Sequence, residues 1–210
     1  MKSQQDEIAG ALLSIGAVEL RPQDPFTWTS GISSPIYCDN RLTMSSPTVR
    51  KQIAEALAAN IREFFPQTEV VAGTATAGIP HAAWVSDVLN LPMVYVRSKA
   101  KEHGRGNQIE GRIAPGQKVI VVEDLISTGG SSIEAVRALE NEGCEVVGVV
   151  CIFTYHLKRA DELFAEAGIP YVSLTNFDAL IEEATLAKQI SDEDKPQLME
   201  WHEKLKHGEL

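Results

Sequence analysis

Two adjacent carboxylates, Glu123 and Asp124, stand between an apolar run and a turn of hydroxyls and glycines in the stretch Val119-Ile120-Val121-Val122-Glu123-Asp124-Leu125-Ile126-Ser127-Thr128-Gly129-Gly130-Ser131. The β-branched run 119–122 is expected to be a central strand buried on both faces. In open α/β sheets ligands sit at the carboxyl ends of strands, and a helix start preceded by glycines offers free N–H groups to a phosphate. The hydroxyls of Ser127, Thr128 and Ser131 add donors. Two carboxylates beside a phosphate cradle repel the anion unless something polyhydroxylated or metal-bound lies between them. A ribose 5-phosphate meets that condition, its phosphate on the turn and its 2- and 3-hydroxyls donating to Glu123 and Asp124. A single Asp or Ser here would be read as a helix cap; the thirteen residues together are read as a binding site.

A second cluster carries the opposite charge. Between Arg97 and Arg112 stand Arg97, Lys99, Lys101, Arg105 and Arg112 against Glu102 and Glu110, a local charge of +3 in a chain of net charge −10. With His103 inside it, this segment suits a polyanion, although such clusters are also found as plain solvated loops. Joined to the ribose-phosphate stretch, the polyanion reading is favoured over the plain loop. The turn Gly73-Thr74-Ala75-Thr76-Ala77-Gly78 spaces its glycines like a Walker A loop, but Ile79-Pro80 replaces Lys-Ser/Thr, which disfavours nucleoside triphosphate hydrolysis. By itself the turn is equally an ordinary tight connection. His81 after it reads as structural. Phe26, Trp28 and Tyr37 could stack on a base, although aromatics in a single polar segment more often serve a core; of the three, Tyr37 is read as lining the pocket.

The elements that must position these groups follow from periodicity. Val49, Ile53, Leu57, Ile61 and Phe64 mark one face of a helix ending near Pro66. A strand over 69–73, a helix over 80–90 and a strand over 93–96 follow. Residues 97–117, polar and with four glycines, are read as a long mobile loop. After the strand at 119–122 come a helix over 131–142 stopped by Gly143, a strand over 146–153, a helix over 157–167 stopped by Gly168 and a strand over 171–174. Two helices close the chain, and Ser191 with Asp194 resembles a capping box for the last. This alternation predicts an α/β fold with a largely parallel sheet.

Composition bounds the rest. The 210 residues, 44% hydrophobic and 23% charged, suggest one domain over 1–210 that can bury roughly 70% of its unfolded surface without disulfide or metal staples. A net charge of −10 argues against nucleic-acid or anionic-membrane partners. The three cysteines, Cys38, Cys144 and Cys151, form no CxxC pair and are expected as reduced thiols. No run approaches the roughly 18 apolar residues of a membrane span, and a cytoplasmic setting is expected.

The 119–131 stretch resembles the phosphoribosyl diphosphate (PRPP) signature of the type I phosphoribosyltransferases. Two further stretches narrow the resemblance to the orotate phosphoribosyltransferase family: Phe26-Thr27-Trp28-Thr29-Ser30-Gly31-Ile32-Ser33-Ser34-Pro35-Ile36-Tyr37-Cys38-Asp39-Asn40-Arg41 and Arg97-Ser98-Lys99-Ala100-Lys101-Glu102-His103-Gly104-Arg105-Gly106. The likeness runs from about Ile8 to Leu174. It implies a parallel sheet flanked by helices with a small N-terminal hood over about 1–45, and transfer of phosphoribosyl from PRPP to orotate with Mg²⁺ on the diphosphate. It further implies that Arg97, Lys101, His103 and Glu123 to Ser131 hold PRPP, that Thr74 and Ala75 hold the diphosphate, and that Ser127 and Tyr37 meet orotate. Lys101, His103 and Asp124 take the catalytic parts, and the loop reaches into the partner's site of a homodimer.

Three positions depart from the family's usual pattern. Thr29 stands where many members have Lys, Ser98 where many have Lys, and Phe153-Thr154-Tyr155-His156 where many have the Arg associated with the orotate carboxylate. Backbone donors around Ser30 to Ser33 and the Ser127 hydroxyl are the expected substitutes. Two alternatives stay open on the sequence: a phosphoribosyltransferase for another base, and a regulatory protein that keeps the pocket as a sensor.

Overall fold

A computed structural model describes residues 2–27, 31–98 and 108–210. The chain begins with a capping box: Ser3 Oγ accepts the Asp6 N–H at 3.2 Å while the Asp6 carboxylate accepts the Ser3 N–H at 3.0 Å. It starts α1 (Gln4–Ser14), whose Ile8, Ala9, Leu12 and Leu13 enter the main core. Of the segment read as a hood, these first residues therefore pack beneath the sheet. The rest forms two antiparallel pairs, β1 (Val18–Leu20) with β4 (Ile36–Cys38) and β2 (Phe26–Thr27) with β3 (Ser33–Ser34), followed by a 3₁₀ helix, Asn40–Ser45.

Next comes α2 (Pro47–Phe64), with proline at its first position, where no amide hydrogen is needed. It buries Val49, Ile53, Leu57 and Ile61 as the spacing predicts, but the last member of the stripe differs. Phe64 is 52% exposed and Phe65 4%. The helix ends at Phe64, and the Phe65 ring fills the space beside Gly148, which has no Cβ.

The remainder alternates: β5 (Val70–Thr74), α3 (Gly78–Leu89), β6 (Met93–Val96), β7 (Ile109–Glu110), β8 (Lys118–Ile126), α4 (Gly130–Asn141), β9 (Glu145–Thr154), α5 (Lys158–Ala167), β10 (Tyr171–Asn176), α6 (Phe177–Leu186) and α7 (Asp194–His207). The sheet order is β10-β9-β8-β5-β6-β7, parallel except for β7. Side-chain alternation divides the strands between two cores. Val71, Ile120, Val122, Val150 and Ile152 face α1, α2, α3 and α6, whereas Ala72, Val119, Val121, Val149 and Cys151 face α4 and α5.

Two expectations need correction. The strand read over 119–122 continues to Ile126, because β9 supplies partners as far as Leu125↔Phe153 and Ile126↔Thr154. Glu123 and Asp124 are thus strand residues, which standard propensity disfavours. The loop read over 97–117 is also shorter, since β7 pairs antiparallel with β6 and the Arg97 and Gln108 backbones are joined at 2.9 Å. Residues 99–107 lie outside the described residues.

At the C-terminus Ser191 and Asp194 exchange the reciprocal hydrogen bonds of the expected box, at 3.0 and 3.2 Å, ahead of α7. That helix docks through His202, whose ring stacks on Phe177 at 4.0 Å and whose Nε2 lies 2.6 Å from the Tyr155 carbonyl. Trp201 Nε1 donates to the Ser33 carbonyl at 3.0 Å and ties β3 to the same helix.

Candidate active site

The chain order places a crevice between β5 and β8. From β5 the chain moves outward to β6 and β7, then returns across β5 to lay down β8, β9 and β10 on the other side. The helix after β5 joins one core and the helix after β8 joins the other, so the two connections part where the strand order reverses. Such a switch point is where open α/β sheets bind ligands. Pairing of β5 with β8 ends at Gly73↔Val122, while β8 runs on against β9. Beyond Val122 the free edge of β8 therefore faces a cavity of about 470 Å³.

Three parts of the chain line it. Glu123, Asp124, Leu125, Ser127 and Ser131 come from β8 and the following turn, Ala75 to Ala77 from the turn after β5, and Cys38 to Arg41 from the end of β4. Thr128, Gly129 and Gly130 form the intervening turn, with Gly129 at φ +79°, a conformation open to glycine. Both α3 and α4 start at this crevice without a side-chain cap; in α3 Pro80 has no N–H and the Ile79 N–H donates to the Thr76 carbonyl at 3.3 Å, so α4 offers the fuller set of free amide groups to a ligand. Ile126 is buried in the core on the α4 side and is absent from the lining, so its side chain is not placed to touch a ligand.

The two carboxylates differ in surroundings. Glu123, 5% exposed, accepts from the Asp124 N–H at 3.0 Å, Ser132 Oγ at 3.3 Å and Ser131 Oγ at 3.4 Å. It fastens the first turn of α4 to β8. Asp124 faces the cavity, and burial first, then the neighbouring Glu123 charge, pushes its carboxyl well above the usual carboxylate range. A group held out of water beside a like charge is strained until a donor or a positive charge arrives.

Beside the turn after β5, Arg97 leaves the end of β6 and lines a narrower cavity with Thr74, Ala75 and Ser131. Its Nη1 lies 3.8 Å from Glu110 of β7. The peptide between Ala75 and Thr76 is cis. Gly78 lets α3 approach β8, for a Cβ there would collide with Thr74 Oγ1 and the Val122 carbonyl. Gly78→Ala is expected to cost about 1–3 kcal/mol of stability by overpacking, read as a lower midpoint in urea unfolding with an unchanged slope.

His81, read as structural, and Tyr37, read as lining the pocket, are both absent from the cavity wall. His81 is buried, 3.2 Å from Thr43 Oγ1 and edge-on to Trp84, and burial pushes its pKa down to about 4, so it is a neutral structural group. Tyr37 packs on Phe26 with ring centroids 5.6 Å apart and does not line the cavity, its neighbour Cys38 doing so instead. Lys101, His103 and Trp28 lie outside the described residues. One contact was missed: fully buried Asn40 donates through Nδ2 to the Asp124 carbonyl at 2.8 Å, across 84 positions. Its only sequence signal is its place in Cys38-Asp39-Asn40-Arg41, a run quoted for likeness and given no role.

A model of the phosphoribosyl transferase domain matches residues 45–194. The chain is 62% identical over 195 residues to the orotate phosphoribosyltransferase of Enterococcus faecalis, covering 93% of each protein. It belongs to the orotate phosphoribosyltransferase family. Among solved structures, Leishmania donovani UMP synthase aligns at a TM-score of 0.82 with 27% identity, covering 96% of this chain, which spans 43% of that longer protein. Mycobacterium tuberculosis orotate phosphoribosyltransferase in complex with PRPP aligns at 0.67 with 25% identity, covering 85% of this chain and 99% of that one. The type I phosphoribosyltransferase fold, with its parallel sheet between helical layers, is thereby established for this orotate phosphoribosyltransferase family member, and the crevice between β5 and β8 is its candidate active site. Where many members carry Arg after the strand that follows the signature helix, this one turns Thr154 and Tyr155 into the core.

Proposed function

We propose that this chain transfers the 5-phosphoribosyl group of PRPP to N1 of orotate, giving orotidine 5′-monophosphate and diphosphate in pyrimidine biosynthesis. The observation that carries the reading is the switch-point crevice, where the half-buried Asp124 carboxylate faces the cavity beside two uncapped helix starts. In this reading the 5-phosphate rests on residues 127–131 at the start of α4, and the ribose hydroxyls donate to Asp124, with Glu123 holding the turn in register. The diphosphate lies along Thr74 and Ala75 toward Arg97.

The N1–C1′ bond forms as the C1′–oxygen bond of the diphosphate breaks, and the bonding pair leaves with the diphosphate. Positive charge grows on the ribose ring at that moment, and the Asp124 carboxylate stabilises it. Lys101 and His103 stabilise or protonate the departing diphosphate. No covalent nucleophile is required. Among the described residues no group of three metal-ligating side chains forms. A Mg²⁺ ion suits this site when held by substrate oxygens, since that ion keeps several waters and needs only one or two carboxylates. When bound it supplies charge neutralisation on the diphosphate.

A homodimer in which the loop serves the partner's site fits the exposure of Leu42 and Met44 on the 3₁₀ helix next to the cavity. A cytoplasmic setting fits the three free thiols, of which burial pushes Cys38 and Cys151 upward. No helix among the described residues is long and apolar enough to cross a membrane. The test is a panel of orotate, uracil, adenine, guanine and hypoxanthine with PRPP and Mg²⁺, following loss of each base. Turnover of orotate alone is expected. Turnover of another base in its place would move the protein to a different substrate within the same chemistry.

A further inference from the structure

Orotate carries a carboxylate at C6 into a cavity that already holds Asp39, Glu123 and Asp124. A fourth carboxylate needs a cation or a set of N–H donors. Of the substitutes expected from the sequence, the Ser127 hydroxyl lines the crevice but is uncharged, and Ser30 lies outside the described residues. Gly31, Ile32 and Ser33 line a separate depression with Leu210, and the Ser33 carbonyl is turned to Trp201. At the end of β9, Thr154 and Tyr155 are buried, and His156 opens on yet another depression, with Lys158 and Lys206.

One cation remains among the described residues that line the crevice. Arg41 stands at its N-terminal wall. Its guanidinium is fixed by a forked ion pair with Asp39, Nε to Oδ1 at 2.6 Å and Nη2 to Oδ2 at 2.8 Å, and Asp39 in turn accepts the Arg41 N–H at 3.1 Å. These bonds use two of the three nitrogens and leave the Nη1 edge. The hydrogen bonds to Asp39, and then its charge, hold the guanidinium firmly protonated. The arrangement is anchored to the ribose side as well, because the next residue back, Asn40, is bonded to the Asp124 backbone.

We propose that Arg41, oriented by Asp39, binds the carboxylate of orotate and so distinguishes this base from neutral pyrimidines. The proposal rests on the function proposed above. Arginine is suited to the task because its planar fork can hold Asp39 on one edge and a second carboxylate on another.

The test compares orotate with orotamide, its neutral carboxamide, in the wild-type protein and in Arg41→Gln, Arg41→Lys and Asp39→Asn. For Arg41→Gln the KM for orotate should rise about 10- to 100-fold, the loss expected for one hydrogen-bonded charge contact. The KM for PRPP and the inhibition constant of orotamide should stay within about twofold. Arg41→Lys, which keeps the charge without the fork, should fall between, and Asp39→Asn, which frees the guanidinium, should raise the KM for orotate less than Arg41→Gln does. Circular dichroism and thermal melting show which variants are folded, and Arg41→Lys keeps the test open should Arg41→Gln unfold. An unchanged KM for orotate, or equal losses for orotate and orotamide, would overturn the proposal. Wild-type protein that does not turn over orotate would instead defeat the proposed function, before Arg41 is reached.

Discussion

Asp124→Asn is expected to lower kcat by about 10²- to 10³-fold, the range for removing a group aimed at transition-state charge, and to raise the melting temperature of the ligand-free protein. Both effects come from one cause. The Asp124 carboxyl is driven above the usual carboxylate range by burial and by Glu123, so the folded state holds its proton at a pH where the unfolded chain has lost it. Between the ordinary carboxylate range and the raised value the native state binds more protons than the unfolded one. Stability therefore falls as pH rises through that window. An amide removes the charge and with it the penalty, and each kcal/mol relieved raises the midpoint by roughly 2–4 °C in a chain of this size. Melting curves from pH 5 to 8 should decline more steeply for wild type than for Asp124→Asn. A variant that melts lower, or follows a parallel pH dependence, would count against the strained carboxylate. The gain in stability bought with activity is the usual trade at such sites.

Lys101→Ala is expected to reduce kcat by about 10²- to 10⁴-fold, the span seen when a group that protonates or neutralises a leaving oxygen is removed. PRPP affinity should change far less. In the proposed function ground-state PRPP already has the start of α4, the Thr74–Ala75 turn and Arg97 for its phosphates, whereas charge accumulates on the diphosphate only as it leaves. Single-turnover rates and equilibrium binding of PRPP separate the two quantities. Equal losses in both would show that Lys101 binds uniformly and has no special part in the transition state.

Much of this site was legible in the sequence because the signals are local. The apolar run into Glu123-Asp124 and the hydroxyl-glycine turn must be contiguous to place a carboxylate and a helix start together, and the structure has them so. Strand order was implied only in part: alternation indicates a parallel sheet, but periodicity carries nothing about the return of β8 across β5 that opens the crevice. The overlong β8 was missed because consecutive carboxylates read as a strand end, and only the length of β9 opposite keeps them paired. The brief β7 was hidden in a polar, glycine-rich stretch whose two paired residues have no period to detect. Phe65, filling the notch beside Gly148, and Asn40, reaching Asp124 across 84 positions, depend on tertiary proximity. Arg41 shows the same limit, since its neighbour Asp39 suggests a surface ion pair and only the fold brings that pair to the cavity wall.

The most direct measurement of the central claim follows orotate, PRPP and both products together by chromatography with the purified protein in Mg²⁺. Orotate and PRPP should disappear in equal amounts, with one orotidine 5′-monophosphate and one diphosphate formed for each, and Asp124→Asn should slow all four together. Release of diphosphate without orotidine 5′-monophosphate, or orotidine 5′-monophosphate formation that survives Asp124→Asn undiminished, would contradict the assignment of phosphoribosyl transfer to the crevice between β5 and β8.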